Sequence, residues 1–117
     1  MTCKPGDLVG IPFPYSNLTT KKRRPVLVVT SPDRHGDFMG LAVTSVETGK
    51  SAIAIVEGDM TTGTLPKKSW IRYDKIFTLS SEKVVKTYGS IKDQARETVM
   101  GNLCRYIGCD TADKLKT

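Results

Sequence analysis

The sequence predicts a mainly β domain, a small barrel-like sheet plugged by one C-terminal helix. Three observations predict it. Short apolar, β-branched runs recur from Leu8 to Leu79, each bounded by Gly, Pro, Asp or Ser turn chemistry. The first run contains Gly10 and Pro12, as strands do at an edge, a bulge or the sharp corner of a small barrel. The chain then closes with one apolar stripe of helical period, so five or six strands and a single terminal helix imply a small barrel-like sheet plugged by that helix.

Taken in order, Lys4-Pro5-Gly6-Asp7 is a turn and Leu8 to Phe13 the first strand. Pro14 to Lys22 is a polar loop, long for a hairpin, and such loops in compact domains are often functional. Lys21-Lys22-Arg23-Arg24 then run into Pro25 and a second strand to Ser31. Pro25 pushes Arg24 toward extended backbone, at a strand mouth where its guanidinium is aimed, while Lys21 to Arg23 stay on the loop. Pro32 to Asp37 is a turn; Asp33, His35 and Asp37 alternate there, but Pro, Asp and Gly chemistry accounts for them better than a metal does. Phe38 to Val46 is the third strand, Ser51 to Val56 the fourth, and Glu57 to Lys68 a polar connection. Ser69 to Asp74 alternates as a half-buried strand and Ile76 to Leu79 extends it, placing Trp70, Arg72 and Asp74 on one face. Val84 to Gly89 follows with its type left open. Ser90 with Asp93 resembles a capping box, Ala95, Val99, Leu103, Tyr106 and Ile107 form the core stripe, and Gly108 suits the C-cap. The reading is a single domain over 1–109 with a short tail over 110–117.

The 117 residues carry a net charge of +6, and each half of the chain carries +3, so there is no basic tail on an acidic body. A moderately basic folded domain favours an anionic partner such as nucleic acid. Cys3, Cys104 and Cys109 have no metal spacing, and His35 is the one histidine, which leaves no member for a His-based metal cluster or a Ser/His/Asp triad. No apolar stretch approaches the roughly 20 residues of a membrane span, and no basic start leads into an apolar leader. The expected location is the cytoplasm.

Three polar sets fall at strand ends or loop mouths: Arg24; Thr44 with Ser45; and Arg72 with Asp74. Cleaving RNA needs no metal if the adjacent 2′-hydroxyl attacks its own phosphate. The protein must then supply a base, a proton donor for the leaving 5′-oxygen and donors to the charged phosphorane. Arginine, a hydroxyl and aspartate meet those needs. Each set also has a plain structural reading. The cationic run can be a solvated face, Arg72 and Asp74 a surface ion pair worth under about 1 kcal/mol, and Thr44-Ser45 a strand end satisfying backbone groups.

The order of the pieces adds to this. Gly6-Asp7-Leu8-Val9 with Pro12-Phe13-Pro14, then Arg23-Arg24-Pro25-Val26-Leu27-Val28, Ala42-Val43-Thr44-Ser45, Trp70 to Leu79, and Gly89-Ser90-Ile91 before the closing helix, resembles the MazF/PemK family of toxin endoribonucleases, from about Gly6 to about Ile107. The resemblance implies an SH3-like barrel of the CcdB/PemK type, homodimeric, needing no metal or cofactor, that cuts single-stranded RNA and leaves a cyclic phosphate and a 5′-hydroxyl. It implies a cognate antitoxin that threads an acidic, disordered segment into the RNA groove. By the same resemblance Arg24 and Thr44 are catalytic, and Arg72 and Asp74 act instead or as well, with Asp74 a base and an arginine the acid or phosphate clamp. Asn17, Thr19, Lys21, Lys22, Arg23, Ser45, Lys67, Lys68 and Trp70 are the expected RNA contacts. One departure is that the first loop, Pro14 to Lys22, has no histidine where some members carry one. The alternative in the same superfold is a toxin that acts by binding alone, as gyrase poisons do, or a nucleic-acid-binding module.

Overall fold

The computed structural model describes residues 3–12, 23–65 and 67–109. Among them are seven strands, β1 (Asp7–Pro12), β2 (Arg23–Val28), β3 (Asp37–Thr44), β4 (Ala52–Ile55), β5 (Met60–Gly63), β6 (Ser69–Ser80) and β7 (Lys86–Ile91), and one helix, α1 (Asp93–Ile107). All pair antiparallel in one sheet of order β4-β6-β3-β2-β1-β7-β5. The two edge strands, β4 and β5, are consecutive in the chain and joined only by residues 56–59. That link reaches at most roughly 17 Å, whereas a flat seven-stranded sheet would hold its edges roughly 29 Å apart. The sheet must therefore curl, and the fold is the mainly β half-barrel with a closing helix that the sequence predicts.

Each face of the curled sheet has its own core. Leu8, Leu27, Leu41, Val43, Ile55 and Ile71 line one face, where Val99 and Leu103 of α1 pack. Val9, Ile11, Val26, Val28 and Phe38 line the other, with Val84 and Cys3. The apolar runs of β1 and β2 are thus buried on both faces, which is why they read as continuous rather than alternating.

Of the edge, bulge or corner expected for the first strand, the structure has the bulge: β1 is a central strand with β2 on one side and β7 on the other, the irregularity lies against β7, and Pro12 is tolerated because it ends the strand. Several other expectations are corrected. Arg23 and Arg24 belong to β2, opposite Pro12 and Ile11, so Arg23 is not on the loop. The connection over 57–68 contains β5, a largely exposed edge strand whose Met-Thr-Thr-Gly is too short and polar to show alternation. Ser90 is a β7 residue and no cap: its hydroxyl donates to Asp7 at 2.5 Å, and Lys92 takes the N-cap with no side-chain bond. In α1 Val99 and Leu103 are buried, but Tyr106 and Ile107 are 55% and 59% exposed, so the buried stripe is shorter than the sequence pattern. Gly108 does cap α1, in the left-handed conformation at φ 90°.

Candidate active site

The site is built on the adjacent strands β2, β3 and β6. Side chains alternate between faces, so Arg24 shares a face with Val26 and Val28, and Thr44 with Ala42. Val26 lies opposite Ala42 in the β2–β3 ladder, which ends there because Pro25 has no N–H to give. Arg24 and Thr44 are the next same-face residues on these two strands. Across β3, Thr44 lies opposite Trp70 and Ala42 opposite Arg72. Arg24, Thr44, Trp70 and Arg72 therefore occupy one face at one end of the sheet, with Arg24 and Arg72 two strand spacings apart, roughly 10 Å.

Asp74 keeps the face that alternation gives it, but without partners on β3. Ala42 pairs with Arg72 but Leu41 pairs with Ile76, so Tyr73, Asp74 and Lys75 form a bulge with no partners on β3. The bulge is held by the Tyr73 N–H donating to Ser51 at 3.2 Å and by the Tyr73 ring meeting Tyr106 of α1 edge-on at 5.9 Å. It turns the Asp74 carboxylate back onto Arg72, where Nη2 meets Oδ2 at 3.2 Å. Both side chains are mostly shielded, at 32% and 20% exposure. Arg72 Nε and Asp74 Oδ1 are buried and have no hydrogen-bond partner among the described residues. The pair thus satisfies one oxygen and one nitrogen of the two groups and leaves a donor and an acceptor beside them.

Arg24 is exposed, and Thr44 is half-buried with its Oγ1 accepting from the Val46 N–H at 3.1 Å, which leaves the hydroxyl proton to donate. Ser45, just past β3, is parted from Thr44 and lines a cavity instead, together with Lys67. Lys68 places Nζ 5.5 Å from the Trp70 ring centroid, a cation over an aromatic face. Arg23, exposed, points to the face opposite Arg24. Asn17, Thr19, Lys21 and Lys22 lie outside the described residues. Asp33 serves its turn, accepting from the His35 and Asp37 N–H groups at 2.8 and 3.0 Å. No group of three or more His, Cys, Asp or Glu side chains fit to hold a metal is assembled among the described residues. No helix among them is long and apolar enough to cross a membrane.

Tyr88 is the residue that sequence reasoning missed. It is the extra residue of the β7 bulge, between Thr87, opposite Val9, and Gly89, opposite Leu8. Its ring crosses Gly10, where an added Cβ would meet the Tyr88 hydroxyl oxygen at 2.8 Å. The lone Gly10 inside an apolar strand was the available signal.

The family model described as "PemK-like, MazF-like toxin of type II toxin-antitoxin system" matches residues 4–107. Among curated proteins, none matches the chain in sequence at a significant level. Solved structures do. One, described as an endoribonuclease in complex with its cognate antitoxin from a mycobacterial species, is 17% identical, with 91% of this chain and 93% of that one covered and a TM-score of 0.69. A MazE–MazF complex from Deinococcus radiodurans is 18% identical, with 92% and 97% covered and a TM-score of 0.70. The toxin MazF-mt6 of Mycobacterium tuberculosis is 14% identical, with 85% and 93% covered and a TM-score of 0.66. At these identities the likeness is one of fold.

Proposed function

Because the chain belongs to the PemK-like, MazF-like toxins of type II toxin–antitoxin systems, we propose that it is an endoribonuclease cutting single-stranded RNA on the β2–β3–β6 face. The observation that carries the reading is the shielded Arg72–Asp74 pair with its two unpartnered atoms, set on the face that also holds Arg24 and Thr44. The Asp74 carboxylate takes the proton of the 2′-hydroxyl at the cut. The 2′-oxygen attacks the neighbouring phosphorus and the P–O5′ bond breaks; the proton held by Asp74 is returned to the leaving 5′-oxygen through solvent, so the products are a cyclic phosphate and a 5′-hydroxyl. Guanidinium stays charged at any working pH, so Arg24 and Arg72 act chiefly as donors to the phosphorane oxygens. Thr44 adds a neutral donor from its hydroxyl. Each such donor, aimed where charge develops, contributes more in the transition state than in the ground state.

The proposal includes a homodimer as the working form, and a cognate antitoxin whose acidic segment competes for the same cationic face. It includes no metal or cofactor, since the 2′-hydroxyl supplies the nucleophile and the arginines the charge. Purified protein incubated with a single-stranded RNA in EDTA tests it. The expected products carry a cyclic phosphate, and 2′-deoxy substitution at the cut position blocks the reaction. Cleavage of the 2′-deoxy substrate at the ordinary rate would overturn the mechanism, and no cleavage of any RNA would leave the binding-only toxin as the better reading.

A further inference from the structure

We infer that Tyr106 of α1, together with Ser51 just before β4, is a positioning residue for cleavage: from outside the reacting face they hold the β6 bulge that carries Asp74. The inference rests on the cleavage reading above and adds to it two residues that act through the backbone of the bulge and not on the RNA.

The Arg72–Asp74 pair is shielded yet thinly held. One contact joins it, Arg72 Nη2 to Asp74 Oδ2 at 3.2 Å, and Arg72 Nε and Asp74 Oδ1 have no hydrogen-bond partner among the described residues. The residues opposite Arg72 on the two flanking strands are Ala42 of β3 and Ala52 of β4, and neither is long enough to brace it. Tyr73, Asp74 and Lys75 have no partners on β3 either. The direction of the Asp74 carboxylate therefore follows the backbone of the bulge. A general base must meet its proton at hydrogen-bond distance, so little drift of that backbone is tolerated.

Two contacts fix the bulge. On the β4 side the ladder pairs Ala52 with Arg72, and one further bond carries it into the bulge, the Tyr73 N–H donating to the Ser51 carbonyl oxygen at 3.2 Å. Ser51 accepts it from the left-handed conformation, at φ 55°, the one non-glycine residue with a positive φ among the described residues. A serine is uncommon there, and such a conformation persists where its surroundings over-determine it, most often at functional sites. On the face away from Arg72 and Asp74, the Tyr73 side chain packs against the core that holds Val99 and Leu103. The Tyr106 ring meets the Tyr73 ring there edge-on, with centroids 5.9 Å and planes 72° apart. Tyr73 stands between Arg72 and Asp74 in the chain, so a shift of its ring or its N–H is passed to both. Tyr106 itself is mostly exposed and adds little to the core, which lets placement be separated from stability.

The test follows single-turnover cleavage of one single-stranded RNA against protein concentration, which reads the maximal rate apart from half-saturation. Tyr106→Ala should lower the maximal rate roughly ten- to a hundredfold, as a misplacement of up to about 1 Å does, and leave half-saturation unchanged. Tyr106→Phe, which keeps the ring, should restore the rate. In an Asp74→Asn background Tyr106→Ala should cost nothing further, because the base it places is already gone. Ser51→Val, β-branched at a positive φ, should repeat the loss, and Ser51→Gly, free to adopt that backbone, should not. Ile107→Ala, likewise exposed on the last turn, should cut at the wild-type rate. Thermal melts identify a variant that has lost its fold, in which case the other position decides. Cleavage at the full maximal rate by folded Tyr106→Ala, equal rates in Ser51→Val and Ser51→Gly, or a loss that adds to that of Asp74→Asn would overturn the inference while leaving cleavage standing. So would an equal loss in Ile107→Ala, or a Tyr106→Ala loss that falls on half-saturation or accompanies a change of mass by light scattering. A wild type that cuts no RNA would overturn the cleavage reading, and this inference with it.

Discussion

At the scale of single residues, two arginines one position apart have opposite fates. Arg24 shares a face with Thr44 and Trp70, whereas Arg23 points to the other. Arg24→Ala should lower single-turnover cleavage by about 10²–10³, the usual cost of one donor to developing charge, with nonspecific RNA binding largely kept. Arg24→Lys should rescue poorly, because an ammonium lacks the two-pronged fork. Arg23→Ala should weaken binding with a small effect on the cleavage step, and the reverse pattern would overturn the assignment. Asp74→Asn separates chemistry from stability. The pair it alters is mostly shielded, and Asn keeps an acceptor for Arg72, so melts should report a loss of about 1–3 kcal/mol, while cleavage should fall by orders of magnitude. Cys3 offers a check on burial at the opposite pole of the chemistry. Desolvation first, then the Asp7 carboxylate, pushes its thiol up from the ordinary value. A raised thiol is held neutral in the fold, so its contribution is intact below the ordinary thiol value and is lost as pH rises toward the raised one. Alkaline melts should therefore decline more steeply for the wild type than for Cys3→Ala.

At the scale of elements, the β6 and β7 bulges and one close approach of strands decide where side chains go. The β6 bulge brings Asp74 to Arg72, and the β7 bulge lays Tyr88 over Gly10. Buried Asp7 fastens β1 to β7 and to the turn before it, accepting from the Ser90 hydroxyl and, at 3.0 Å, from the Lys4 N–H. Ser90→Ala strands one of its oxygens in a shielded place, and melts should report a loss of about 1–3 kcal/mol. β5 crosses β7 at Gly63 and Gly89, where a Cβ on Gly63, already at φ 80°, would strike the Tyr88 carbonyl oxygen. Gly63→Ala should release β5 from the sheet, seen as rapid amide exchange over Met60–Gly63. In α1, Leu103→Ala should cost about 2–5 kcal/mol, whereas Tyr106→Ala, mostly exposed, should cost far less.

At the scale of the whole molecule, a net charge of +6 predicts RNA binding that weakens steeply with salt. Arg24→Ala should flatten that slope by about one counterion, and a measured slope unchanged from the wild type would argue that Arg24 never meets phosphate. Light scattering at micromolar concentration should give the mass of a dimer, and an active monomer would remove that part of the proposal. Exposed apolar side chains among the described residues, Val46, Val85, Tyr106 and Ile107 among them, are surface such a dimer could cover.

The sequence by itself determined the class of the fold and the strand ends on which the proposed site lies. Buried strands reveal themselves in apolar runs such as Val26-Leu27-Val28, and the helix C-terminus in Gly108, because burial and backbone conformation act on residues close in the chain. Arg24, Thr44, Arg72 and Asp74 were legible as polar groups at strand ends in an order that resembles a known family. Only the tertiary structure decided what those residues meet. An edge strand such as β5 buries too little to impose a pattern, and Ser90 read locally as a cap until the distant Asp7 claimed its hydroxyl. Alternation already set Asp74 on the face of Arg72, where the ion pair is found; a bulge depends on the register of a partner strand far away in the chain, so neither the loss of β3 partners over Tyr73 to Lys75 nor the placing of Tyr88 could be read from it. The parting of Thr44 from Ser45, one to the reacting face and one to the cavity, has the same cause: the sheet has two faces, and only its curl gives each a purpose.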